Sequence, residues 1–153
     1  MHLARHLLDK IVRHARQVAP AECFGFLVGR PEGDGTVLRV IRGTNLARRP
    51  EQEYLMNPAE FVLVEDAAER DGWQVIGFYH SHPGGSLRPS AQDTAAFWTE
   101  STYLIVALSH GHEIGVSAWR LPSGATGAVA RVELVLDDSD KTCGRGKDHL
   151  CEG

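Results

Sequence analysis

Little in this chain points toward secretion, membranes or nucleic acid. Its 153 residues include only 3 cysteines, too few and too odd a number for a disulfide framework, which fits a reducing compartment. No apolar run approaches the ~20 residues needed to span a bilayer. The N-terminus, Met1 to His6, has polar residues recurring through it where a signal peptide would carry an apolar block. A cytoplasmic location is therefore expected. Sixteen basic residues against 20 acidic ones leave a net charge of -4, which gives no general pull toward nucleic acid or an anionic membrane. Arg39, Arg42, Arg48 and Arg49 form a local basic cluster, read as a solvated rim in preference to a partner site.

What is present is ordinary for a folded domain: 42% apolar and 24% charged residues, in a chain long enough to bury one core. Leu3, Leu7, Leu8, Ile11, Val12, Ala15 and Val18 recur at three- and four-residue steps, which predicts an amphipathic helix closed by Pro20. Cys23 to Gly29 and Thr36 to Thr44 flank a Gly-Asp-Gly turn and read as a hairpin. Tyr54 to Met56 reads as a short strand. Asn57 and Pro58 open a second helix as N-cap and first helical residue. Trp73 to Tyr79 is a central strand running into His80, and Ser90 to Trp98 is a third helix. Tyr103 to Leu108, Ile114 to Trp119 and Ala128 to Leu136 are closing strands. The order gives one α+β domain over 1–136 with a central mixed sheet flanked by helices. Residues 137–153 read as a polar, flexible tail. Cys143, Cys151 and His149 in that tail could pair or bind metal, but lack a recognised zinc spacing.

The chemistry concentrates in Gly77-Phe78-Tyr79-His80-Ser81-His82-Pro83 and Ser90-Ala91-Gln92-Asp93. Residues two apart on a strand share a face, so His80 and His82 can present imidazoles to one ion. Pro83 cannot continue a hydrogen-bond ladder, which places both histidines at the strand's mouth. A glycine-bearing loop then turns the chain back to Ser90, a plausible N-cap, with Asp93 in the first helical turn. Two histidines and one carboxylate, leaving a fourth position open, form a catalytic zinc arrangement. Each residue has a simpler role as well: the histidines as hydrogen-bonded residues, Asp93 as the capping-box partner of Ser90. Glu22 is the best candidate for the base that such a hydrolytic metal needs, because it begins an apolar strand where a charge is otherwise poorly placed. Its simpler role is that of a solvated helix-to-strand junction. Cys23, on the opposite strand face, reads as a core thiol, with a regulatory thiol reaching the metal as the alternative.

His80-Ser81-His82-Pro83, six residues, Ser90, two residues and Asp93 resemble the signature of the JAMM (MPN-plus) zinc metalloproteases, as does Pro20 to Gly29 the segment carrying that family's catalytic glutamate. The resemblance extends over roughly residues 3 to 135, and Asn45 and the Tyr54–Pro58 stretch fall where the family has similar residues. It implies a cytidine-deaminase-like MPN fold with a partly barrel-like sheet, and Zn2+ held by His80, His82 and Asp93. It further implies that Glu22 deprotonates the zinc-activated water and protonates the leaving amine, and that Ser90 donates to the oxyanion. Ser81 is expected to face away from the metal in a structural role.

Among members the chain is most similar to the short stand-alone bacterial type, which implies cleavage of a peptide or isopeptide bond after the C-terminal Gly-Gly of a ubiquitin-like or sulfur-carrier protein. A non-catalytic MPN-type interaction module and a zinc hydrolase of cell-wall peptides are the alternatives. The H-x-E and P-C-x-x-C pattern of zinc deaminases is missing.

Overall fold

The computed structural model describes residues 1–124 and 128–138. The first helix, α1 (Arg5–Val18), buries Leu7, Leu8, Ile11, Val12 and Ala15 and turns its charged face outward, as the three- and four-residue spacing requires. Leu3 does not start this helix. It lies in β1 (His2–Ala4), which pairs in parallel with β8 (Val135–Asp137) in a register that sets Leu3 against Leu136. A buried residue flanked by two half-buried ones satisfies either periodicity, and only a partner from the far end of the chain selects the strand.

β2 (Phe24–Gly29) and β3 (Val37–Gly43) form the expected hairpin. β2 also pairs antiparallel with β4 (Gln74–His82), which pairs in parallel with β5 (Thr102–Ser109). β6 (His112–Arg120) and β7 (Ala130–Val132) complete a mixed sheet of order β3-β2-β4-β5-β6-β7. Among the described residues the sheet stays open, with β3 and β7 as its edges, and no barrel closes. The single closing strand expected over 128–136 divides: β7 joins this sheet, while β8 crosses to β1. Asp137 pairs opposite Ala4, so strand pairing runs one residue past the expected domain limit at 136. Cys143, His149 and Cys151 lie outside the described residues.

Side chains alternate across β4. Tyr79 packs into the α1-side core with Cys23, Leu27, Leu104 and Val106. Phe78 joins Phe24, Phe26, Phe97 and Tyr103 on the other face. On that second face α2 (Pro58–Arg70) packs through Phe61 and Val64, and α3 (Ala91–Ala96) leads into Phe97 of the same cluster. Asn57 caps α2 through its side chain, which accepts from the Ala59 N–H, with Pro58 in the first turn. β4 and β5 approach closely because Gly77 has no side chain: a Cβ there would lie 2.1 Å from the Thr102 carbonyl oxygen. Tyr54 to Met56 makes no ladder, only a bridge between Met56 and Asn45. The Asn45 side chain takes the backbone partners of Glu53 and Leu55 that a neighbouring strand would otherwise supply.

No helix among the described residues is long and apolar enough to cross a membrane. The basic cluster is largely spent locally: Arg39 pairs with Asp71 and lies over the Trp73 ring, Arg42 donates to Gln17, and Arg49 lies near Glu53.

Candidate metal centre

β4 extends through both histidines, so His80 and His82 project from one face of a rigid strand end, two residues apart. Their Nε2 atoms lie 3.0 Å from each other. α3 brings Asp93 to the same point: its Oδ2 is 3.5 Å from His80 Nε2 and 3.2 Å from His82 Nε2. A tetrahedral ion with bonds of about 2.0–2.2 Å holds its donors roughly 3.3–3.6 Å apart, close to the separations found. His80 is fully buried, His82 is 8% exposed and Asp93 5% exposed. Such burial of three polar groups without an ion is costly unless they are paired.

The capping box at α3 is also present. Asp93 N–H donates to Ser90 Oγ at 3.0 Å, and Ser90 N–H donates to Asp93 Oδ2 at 2.7 Å. The helix cap and the metal role do not compete for Asp93. A carboxylate oxygen has two lone pairs, so Oδ2 can take the Ser90 N–H on one side and face the histidines on the other. The Ser90 hydroxyl oxygen, in turn, is the cap acceptor, which leaves its O–H free to donate. Each imidazole is fixed differently. His82 Nδ1 lies 2.9 Å from the Ser86 carbonyl, which orients the ring and fixes Nδ1 as the protonated nitrogen when the ring is neutral. Among the described residues His80 Nδ1 has no hydrogen-bond partner, and its ring rests instead on Tyr54, with centroids 4.6 Å apart.

Glu22 reaches this point from 58 residues earlier in the chain. The register that sets Phe24 opposite His80 places the start of β2 beside the histidines. Ser81 faces away from the metal point, as expected, but its Oγ accepts from Cys23 N–H at 2.8 Å and ties the two segments together. The Glu22 backbone is held on both sides, its N–H by the Pro50 carbonyl and its carbonyl by Asn45 Nδ2 at 3.0 Å. Glu22 is 6% exposed, and its Oε2 has no hydrogen-bond partner among the described residues. Burial pushes its pKa up to about 7, against the opposing pull of His82. Burial likewise lowers the pKa of His80. Burial acts to raise Asp93, but hydrogen bonds from His80 and His82 outweigh it and hold the carboxyl below its usual range. Cys23 is buried in the α1-side core, and burial pushes its thiol up to about 12, which suits a packing role.

Glu22, His82 and Ser90 line one cleft, at the C-terminal end of β4 between Glu51-Gln52 and the loop 83–90. Of the residues expected from the sequence, the fold brings His80, His82 and Asp93 within reach of one ion, with Glu22 and Ser90 on the cleft beside it. Tyr54, whose ring supports His80, was not among them. A tyrosine in a short apolar run carries no local signal for that role.

The sequence matches a known family. Residues 4–122 fit the model of the prokaryotic homologs of the JAB domain. The chain belongs to the prokaryotic JAB (JAMM) family. This JAB protein is 38% identical over 110 residues to a desampylase of Haloferax volcanii, covering 69% of this chain and 78% of that one. It is 32% identical over 120 residues to the CysO-cysteine peptidase of Mycobacterium tuberculosis, covering 78% and 81%. Among solved structures, it resembles the solution structure of a protein from Desulfitobacterium hafniense, with a TM-score of 0.78, 30% identity and coverage of 90% and 93%. The family and these relatives make the JAB protein a hydrolytic enzyme of the JAMM type.

Proposed function

We propose that this JAB protein is a zinc-dependent peptidase that hydrolyses the bond after the C-terminal Gly-Gly of a ubiquitin-like or sulfur-carrier protein. The observation that carries the reading is the convergence of His80, His82 and Asp93 donors within 4.8 Å of one another beside a cleft shared with Glu22 and Ser90. Three ligands and an open fourth position suit catalytic zinc better than a closed structural site. A zinc ion held there supplies Lewis acidity toward the scissile carbonyl and toward water.

The remaining work falls to the chain's own side chains. Glu22 accepts a proton from the attacking water and returns it to the departing amine. Its pKa near 7 and its unpartnered Oε2 suit a group that must both take and release a proton at neutral pH. The Ser90 O–H donates to the carbonyl oxygen as it gains charge, and the capping box holds that hydroxyl in place. The intact donor set speaks against a non-catalytic module. The relative named CysO-cysteine peptidase supports a small carrier protein as substrate. Glycines without side chains also allow a tail to lie deep in a narrow cleft.

The test is to load the protein with zinc and incubate it with a carrier protein extended beyond Gly-Gly, following release by mass spectrometry. Wild type is expected to contain one zinc per chain and to trim the extension. Glu22→Gln is expected to retain zinc and lose at least about a hundredfold in kcat, as for a lost general base. Undiminished cleavage by Glu22→Gln, or wild-type protein that binds no zinc, would overturn the proposal.

A further inference from the structure

α3 presents Asp93 and, as its N-cap, Ser90 to the site, yet it is too short to hold itself in place. Its six residues make fewer than two turns, and an isolated helix of that length is not stable in water. The chain anchors its C-terminal end: Phe97 stacks on Tyr103 with ring centroids 3.6 Å apart, and the Trp98 N–H donates to the Tyr103 hydroxyl at 2.6 Å. At its N-terminal end, Gln92 Nε2 donates to Glu53 Oε2 at 2.5 Å, across 39 residues of sequence. Glu53 is itself fixed. Its N–H donates to the Arg49 carbonyl at 3.2 Å, its carbonyl accepts from Asn45 Nδ2 at 3.0 Å, and its Oε1 lies 3.9 Å from Arg49 Nε. The same loop holds Glu22. The Pro50 carbonyl accepts from the Glu22 N–H at 2.6 Å, and Asn45 Nδ2 donates to the Glu22 carbonyl. Glu51 and Gln52, just before Glu53, line the cleft with Glu22 and Ser90.

We propose that Glu53 and Gln92 are a positioning pair for the hydrolysis, their bond setting the spacing between the loop that holds Glu22 and the helix that presents Ser90 and Asp93. The inference rests on the peptidase reading above and adds to it two residues that neither bind the metal nor move the proton. The proton acceptor and the oxyanion donor stand on opposite ends of this bridge, so a change in its length shifts one against the other. Asp93 meets both histidines through a single oxygen, Oδ2, a contact about which a short helix can still pivot. A second attachment at the neighbouring Gln92 removes that freedom. Gln92 is exposed, and one hydrogen bond at the surface adds little net stability. What this bond contributes is geometry, and its charged acceptor makes it stronger than a bond between two amides.

The experiment follows kcat, KM, zinc content and the urea midpoint of the whole zinc-loaded chain, with a carrier extended beyond Gly-Gly as substrate. Gln92→Glu sets two carboxylates against each other and opens the bridge. Its kcat should fall by about ten- to a hundredfold, the range for a displacement near 1 Å, with KM and zinc content within about twofold of wild type. Adding Glu53→Gln to Gln92→Glu exchanges the two partners, restores the bond and should return kcat to within about threefold of wild type. Gln92→Glu with Glu53→Leu carries the same charge as the exchange but cannot form the bond, and should stay slow. Wild-type kcat in Gln92→Glu, an exchange that fails to recover, or equal recovery with Glu53→Leu each overturns the inference. A fall in kcat matched by lost zinc or a lowered urea midpoint also overturns it, since that marks a general structural role. Each of these results leaves the peptidase reading standing, whereas a wild-type protein that leaves the carrier uncut would sink both.

Discussion

Asn45 offers a sharp test of how the fold delivers Glu22 to the metal point. Its side-chain amide makes four hydrogen bonds to backbone: Nδ2 donates to the carbonyls of Glu22 and Glu53, and Oδ1 accepts from the N–H groups of Ala47 and Leu55. Asn45→Ala removes all four partners at once. At about 0.5–1.5 kcal/mol net for each bond, and with Ala47 and Leu55 regaining some of theirs from water, the expected loss of stability is about 2–4 kcal/mol. Urea unfolding of the metal-free protein measures it as a lower midpoint at unchanged slope. Activity should fall as well, because the Glu22 carbonyl loses its partner and the side chain is free to drift. A displacement of about 1 Å is enough to cost roughly a hundredfold. Asn45→Asp keeps the acceptor and sets a carboxylate against two carbonyl oxygens, so it should be at least as damaging. The reasoning is refuted if Asn45→Ala stays within about 0.5 kcal/mol of wild type and retains its kcat.

Other outcomes follow from the same residues. Asp93→Asn keeps an acceptor for the Ser90 N–H but loses the charge that His80 and His82 hold, so the metal-free protein should unfold at a lower midpoint and the zinc-dependent rise in Tm should disappear; a preserved rise would remove Asp93 from the metal set. Burial raises Glu22 to about 7 from 4.5, so the native state holds its proton more tightly and the metal-free protein loses stability as pH rises from about 4.5 through 7. Glu22→Gln should therefore stabilise the metal-free protein at pH 8 by about 2–3 kcal/mol, read as a higher urea midpoint, while being inactive; a lower midpoint would contradict the buried, unpartnered carboxylate. His14, buried and hydrogen-bonded to Tyr79 at 2.9 Å, is lowered to about 4 by burial and by Arg42. The unfolded chain then binds the extra proton, so stability falls as pH drops below 6.5. The loss from this residue is about 2 kcal/mol at pH 5, and His14→Gln should flatten that slope between pH 7.5 and 5.

The parts of the site that were legible in sequence are those governed by short-range geometry. The two-residue period of a strand puts His80 and His82 on one side, Pro83 ends the ladder, and the three-residue step of a capping box places Asp93 against Ser90. These relations hold whatever the rest of the chain does, so a local motif carries them. Glu22 was legible as a charge out of place beside an apolar strand and through the resemblance of its segment to the family's; what brings it to the histidines is the β2–β4 register, with Ser81 and Asn45 fixing the peptide between Glu22 and Cys23. Pairing register depends on the whole sheet, and nothing within a few residues of Glu22 states it. The same holds for β1, whose three residues fit a helix until β8 offers a parallel partner, and for the division of 128–136 between two sheets.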